Sequence, residues 1–354
     1  MTADAKGHRL AWLRAIAIAV IIFGVPALFR HPNLSLSLAK RPFDEAPAKF
    51  LREARPECIF LGDSMLETRI DPETLDRIAN IRCAVLPYPG SGTALWFLVY
   101  KNFIVSQPHP PRWTIVFFRD KQLTMPTHRA AGRYWGKIEA CMRDEEPQFT
   151  SILNQAWHDT RPWTERLATA VYFIQMRRTV WQSAVKNAAL KTVANRAQRA
   201  DVQKAAERIF GSKNQREDQE VIDARNGDQA LGLSTHEFQA NVDQSFLPPI
   251  LEIAREKNTR LIFFRVQRRA QSFPSRLADR PDERIYQSEL RAYLSGHGAS
   301  LVDETSDPDV TSAYYGSNDH VRVEMKSSYT EMFWKKMRPH LDSADSPNLA
   351  VPRE

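Results

Sequence analysis

The sequence predicts an α/β fold built on a parallel sheet, and three observations carry that reading. Strand-like runs alternate with stretches of helical spacing, the strand-like runs are apolar almost throughout, and several end in glycine, proline or a polar turn. A strand that is apolar on both faces needs cover on both faces, which βαβ crossovers supply and simple hairpins do not. Right-handed crossovers then generate a doubly wound sandwich whose ligand chemistry belongs at the C-terminal edge of the strands.

The elements follow in chain order. Lys6, His8 and Arg9 precede an apolar run from Leu10 to Phe29 that only Arg14 interrupts, and Arg30 and His31 close it. A run of roughly 20 apolar residues crosses a bilayer, and no polar face interrupts this one. Val25-Pro26-Ala27-Leu28-Phe29 lacks a small-x-small cleavage pattern, so residues 1–30 are expected to form an uncleaved anchor with the N-terminus inside and the remainder outside. Pro32, Pro42 and Pro47 mark residues 31–50 as a linker.

A domain over residues 51–342 follows. Its first strand runs from Glu57 to Leu61, its first helix from Met65 to Ile78, its second strand from Arg82 to Leu86 and its second helix from Thr93 to Val105. Trp113 to Phe118 is the third strand. Arg260 to Val266 and Ala299 to Asp303 are the fourth and fifth, each preceded by a helical stretch. An insertion over about residues 135–235 separates the third strand from the fourth. It includes an Arg- and Lys-rich helical stretch from Trp163 to Phe210 and polar sequence from Gly211 to Gly232. Residues 343–354 read as a tail.

Composition narrows the function classes. With 354 residues, 43% of them hydrophobic, the chain can bury a full core. The net charge of +7 suits anionic lipid or an acidic polymer, and no nucleic-acid-binding motif accompanies the basic stretch, so no nucleic-acid partner is expected. Cys58 and Cys83 sit in apolar, strand-like runs and read as buried thiols, Cys141 sits in a charged segment, and the lack of a CxxC spacing argues against a zinc site. His31, His128, His158, His236 and His340 are scattered and read as surface residues.

The informative string is Ile59-Phe60-Leu61-Gly62-Asp63-Ser64. Glycine permits a sharp turn at the strand end, and Ser64 then starts a helix whose free N–H groups and dipole favour a developing negative charge. That arrangement suits a nucleophile beside an oxyanion hole, while a helix cap is the plainer use of Asp63 or Ser64.

Gly62-Asp63-Ser64 after an apolar first strand resembles block I of the SGNH/GDSL hydrolase superfamily, and the likeness extends from about Glu57 to Arg338 without the insertion. The resemblance implies a flavodoxin-like three-layer α/β/α sandwich with Ser64 as nucleophile. It also implies oxyanion-hole N–H groups from Ser64 and from Gly90 or Gly92 after the second strand. Tyr314-Tyr315-Gly316-Ser317-Asn318-Asp319-His320-Val321 fits the block that brings the histidine, which makes His320 the general base. Ser317 stands where many members carry the acid, which leaves Asp319, Asp303 at the end of the fifth strand, or a Ser-His dyad.

Arg119 stands near the place of the block III asparagine and is a candidate charged oxyanion donor. This departure brings the chain closer to membrane-anchored SGNH proteins that accompany membrane-bound O-acyltransferases in envelope polysaccharide modification. The implied activity is a serine-dependent acyl, chiefly acetyl, ester hydrolase or O-acyltransferase on the periplasmic side of a bacterial inner membrane. It needs no cofactor or metal. The implied partners are an acylated envelope polysaccharide and, for the transferase, a membrane-bound O-acyltransferase. The alternative is a catalytically inactive glycan-binding or assembly protein on the same fold.

Overall fold

The sheet has five strands, β1 (Cys58–Gly62), β2 (Cys83–Pro87), β3 (Trp113–Phe118), β4 (Arg260–Arg265) and β5 (Ser300–Asp303), all parallel and ordered β2-β1-β3-β4-β5. A computed structural model describes residues 42–130, 134–143, 146–160, 238–269, 281–316 and 319–343. The expected anchor, the basic stretch from Trp163 to Phe210 and the tail from residue 344 lie outside the described residues. Among the described residues no helix is long and apolar enough to cross a membrane.

The chain divides into two units. The smaller comprises residues 1–42, 131–140 and 157–226, and its described part is chiefly the short helix Trp135–Ala140. The larger comprises residues 43–130, 141–156 and 227–354 and holds the whole sheet.

In the larger unit the helices are α1 (Ala46–Ala54), α2 (Ser64–Arg69), α3 (Pro72–Ile78), α4 (Thr93–Val99, continued by a π turn over Tyr100–Ile104), α5 (Pro147–Thr160, whose last residues belong to the other unit), α6 (Phe238–Asp243), α7 (Leu247–Glu256), α8 (Pro281–Gly296) and α9 (Lys326–Ser343). Alternate strand residues Phe60, Phe117 and Phe264 enter one core with Leu66 of α2, Leu75 of α3 and Phe333 and Met337 of α9. The ring of Phe333 lies 5.8, 5.2 and 4.9 Å from those three strand phenylalanines. Each fully buried phenylalanine contributes about 1.5–3 kcal/mol. The intervening residues Ile59, Leu61, Val116, Phe118 and Phe263 are buried as well, and on this side α7 packs against β4 and α4. Both sheet faces are thus covered, as strands without alternation require.

Strand ends shift by at most a single residue from the sequence reading, and two helix boundaries differ more. The helix expected from Met65 to Ile78 is two helices, because Pro72 disfavours helical geometry at Asp71 and the Asp71 carboxylate caps α3 by accepting from the Thr74 N–H at 3.2 Å. Helix α1 begins inside the segment expected to be linker. It buries Ala48 and Leu51, and Phe43 just before it stacks on Phe103 at 5.0 Å.

The strand order positions the site. The chain leaves β1 to form β2 on one side and then crosses to β3 on the other, so the connections after β1 and β3 part at the C-terminal end of β1. Gly62, Asp63 and Ser64 occupy that point.

Candidate active site

Gly62 is required by packing. A Cβ there would lie 2.9 Å from Phe117 Cβ and 3.0 Å from Leu66 Cβ, so glycine lets β1 approach β3 while α2 folds back over it. The expected reason was a sharp turn, yet Gly62 has no left-handed backbone angle. Asp63 caps α2: its Oδ1 accepts from the Met65 N–H at 2.8 Å, and Oδ2 faces Arg129 Nη1 at 3.4 Å. Ser64, the first residue of α2, is left with its hydroxyl for other work.

That hydroxyl meets His320. Ser64 Oγ and His320 Nε2 are 3.0 Å apart across 256 residues of sequence. The histidine sits on a tight loop closed by an antiparallel bridge between Tyr315 and Val321, in which the Gly316 N–H donates to His320 O at 3.3 Å. The Arg322 N–H donates to Tyr314 O at 2.8 Å, and Arg322 Nε to Tyr315 O at 2.7 Å. Burial holds the His320 imidazole below the usual histidine range. Arg69 and Arg119 push the same way, and Asp63 and Asp319 oppose them. A neutral imidazole 3.0 Å from a serine hydroxyl is placed to accept its proton.

The oxyanion candidates lie on the neighbouring turn. Tyr88-Pro89-Gly90-Ser91 is closed by the Ser91 N–H donating to Tyr88 O at 3.0 Å, with Gly90 at φ 74, and proline and glycine occupy the positions favoured in a type II turn. Gly92 caps α4 from an extended conformation. Among the described residues, the N–H groups of Ser64 and Gly92 donate to no protein acceptor, as expected of donors at helix starts. Gly92 is also sterically obligatory, because a Cβ would stand 2.6 Å from the His128 carbonyl oxygen. Gly92→Ala must displace backbone, and a loss of about 1–3 kcal/mol is expected. Thermal unfolding of the full chain measures it, and an unchanged melting temperature would contradict the contact.

Arg119 follows β3. Its N–H donates to Gln122 Oε1 at 2.9 Å, and its Nη1 lies 3.7 Å from Asp319 Oδ2, too long for a hydrogen bond. Asp319 is directed to arginines: its Oδ1 accepts from the Arg269 N–H at 3.0 Å, and Oδ2 faces Arg268 Nε at 3.6 Å as well as Arg119. Asp303 belongs to a buried ion cluster in which Arg265 donates to Glu283 at 2.6 Å and faces Asp303 at 3.4 Å, while Thr305 donates to Asp303 through both its N–H and its hydroxyl. The Asp303 carboxylate is thus engaged by Arg265 and Thr305, and that of Asp319 by the Arg269 N–H with Arg268 and Arg119 near it.

Several residues at the site carried no sequence signal. His128, expected on the surface, is largely enclosed beside Gly92, and burial with Arg129, Arg119 and Arg268 lowers its pKa to about 3. The Gln122 Oε1 already accepts from Arg119, which directs its amide N–H₂ toward His128 Nε2 at 3.4 Å and makes that ring nitrogen the acceptor. Arg268 pairs with Asp120 at 2.9 Å. Asp120 (φ 50) and Arg129 (φ 54) both hold left-handed backbone in the segment after β3, a strain that functional loops often carry. Arg69 and Glu304 are fully buried near the histidine loop, and burial raises Glu304 to about 7.

Among the described residues no cluster of histidine, cysteine, aspartate and glutamate is arranged to hold a metal. No family model matches the chain, and no curated protein sequence matches it at a significant level.

Proposed function

We propose that the chain is a serine-dependent acyl ester hydrolase or O-acyltransferase on a flavodoxin-like, SGNH-type sandwich, working through an acyl-enzyme. The 3.0 Å contact between Ser64 Oγ and His320 Nε2 at the head of β1 carries this reading. Ser64 Oγ attacks the acyl carbonyl carbon and passes its proton to His320 Nε2. The Ser64 and Gly92 N–H groups and the Arg119 guanidinium hold the oxyanion. Collapse breaks the ester C–O bond, and the departing alcohol takes the proton from His320. Water or a sugar hydroxyl then attacks the acyl-Ser64 ester with His320 again as base.

The acyl group is proposed to be acetyl and the substrate an acylated envelope polysaccharide. The resemblance at Gly62-Asp63-Ser64 and Asp319-His320, the apolar run Leu10 to Phe29 and the net charge of +7 support that assignment. The same features support attachment to a bacterial inner membrane with the sheet domain in the periplasm. A transferase would draw its acyl group from a membrane-bound O-acyltransferase. The inactive glycan-binding alternative draws on the direction of the Asp319 carboxylate toward arginines.

A serine-directed fluorophosphonate separates the two readings. The full chain is expected to be labelled once, at Ser64, and an unlabelled, folded protein would favour the binder. The labelling rate should also follow the ionisation of His320. The base must be neutral, and burial lowers its pKa, so the rate should climb with pH through a midpoint below the ordinary histidine value of about 6.5. A midpoint at or above that value would show the imidazole in a different environment.

A further inference from the structure

Arg69 closes the helix that Ser64 opens, and its side chain is completely buried. A basic residue in the last turn of a helix ordinarily reaches solvent beside the dipole's negative end. Here the guanidinium turns inward. Its Nη2 donates to the Gln267 carbonyl oxygen at 2.8 Å and its Nη1 to Met65 Sδ at 3.1 Å. Its central carbon lies 5.7 Å from the Tyr315 ring centroid and 5.6 Å from that of Tyr329. The Tyr315 hydroxyl donates to the same Gln267 oxygen at 3.0 Å. Tyr329 donates to Glu304 at 2.6 Å, and the Gln267 N–H donates to Glu304 Oε2 at 3.1 Å.

One carbonyl after β4 therefore receives both the helix of the nucleophile, through Arg69, and the loop of the base, through Tyr315. Tyr315 forms the bridge to Val321, the residue after His320. The Arg69 cation also offsets the charge of the buried Glu304 carboxylate, so the arginine serves that charge as well as the junction of the two segments.

We propose that Arg69 is a positioning residue for acyl transfer at Ser64, fixing the His320 loop against the nucleophile helix through Gln267 and Tyr315. The proposal rests on the acyl-enzyme reading of the site and adds an element to it. Its charge acts alongside its geometry. Arg69 and Arg119 disfavour the imidazolium form of His320, against Asp63 and Asp319, and so keep the base ready for the serine proton. Glu304 and Tyr329 tie the other side of the cluster to β5 and α9.

The test uses the full chain as wild type, Arg69→Met, Arg69→Lys and Tyr315→Phe, with folding checked by near-ultraviolet circular dichroism. The His320 pKa is read from its imidazole resonances, assigned with His320→Gln, and the fluorophosphonate labelling rate is measured beside it. In Arg69→Met the His320 pKa is expected to rise and labelling at neutral pH to slow about tenfold or more. Arg69→Lys keeps the charge and loses the planar fork, so the titration should stay near wild type while labelling slows severalfold. Tyr315→Phe should also slow labelling.

A folded Arg69→Met protein with wild-type titration and labelling overturns the proposal. Should Arg69→Met not fold, wild-type labelling by both Arg69→Lys and Tyr315→Phe overturns it. If wild type itself resists the fluorophosphonate, the acyl-enzyme reading falls. A raised His320 pKa in Arg69→Met would then still show that Arg69 sets the state of that imidazole.

Discussion

Ser64→Ala and His320→Ala are each expected to lower the rate of acyl-enzyme formation by about a thousandfold or more, read as the burst of p-nitrophenol from p-nitrophenyl acetate. In the proposed mechanism the serine supplies the attacking oxygen and the histidine the acceptor for its proton, and the two atoms lie 3.0 Å apart. Because they act as a unit, the double variant should lose little beyond either single one, with a residual rate from the N–H groups at the helix starts. A His320→Ala protein retaining a tenth of the wild-type burst would remove the histidine from the mechanism. A wild-type protein with no burst beyond that of the variants would indicate a binder, or a transferase that accepts acyl groups only from a membrane partner.

The second large effect concerns stability. Arg265→Met is expected to lower the free energy of unfolding by about 3–5 kcal/mol, measured by urea denaturation. Arg265 sits at the end of β4 with its side chain enclosed, donating to Glu283 at 2.6 Å and facing Asp303 at 3.4 Å. Its removal strands two buried carboxylates without their cation. Asp303→Asn makes the companion measurement, since it keeps the shape and the hydrogen bonds of Thr305 in reach. If Asp303 serves this cluster, the variant should lose stability and keep wild-type labelling. A folded Asp303→Asn protein that no longer labels would make Asp303 the acid of a triad.

The five strands, and the helix that starts after Gly62-Asp63, were legible in the sequence because their signals are local. Apolar runs such as Trp113–Phe118 declare burial on both faces, Asp63 declares a helix start, and Pro89-Gly90 declares a turn, whereas the second helix start at Asp71 lay hidden inside one expected helix. Ser64 was legible as a candidate because Gly62-Asp63-Ser64 stands at a strand-to-helix junction and resembles a known hydrolase motif. His320 was legible through the resemblance of Tyr314 to Val321 to the block that brings the histidine, while its distance from Ser64 was not.

Other features exist only in three dimensions. The strand order that opens the crevice beside β1 follows from how crossovers pack, which no short window records. Arg69 reads as an ordinary basic residue closing a helix, and only the approach of Tyr315, Tyr329 and Gln267 from distant parts of the chain shows it buried. His128 reads as a surface histidine until the fold sets it beside Gly92 in the field of three arginines, and the two acid candidates differ in the cations and the N–H and O–H donors that reach them. The sequence by itself determined the five strands and the place of Ser64 at a strand-to-helix junction, since backbone preference and hydrophobic period act over a few residues. The tertiary structure alone decided the partners, the burial and the protonation tendencies, because desolvation and charge pairing depend on groups more than two hundred residues apart, as Ser64 and His320 are.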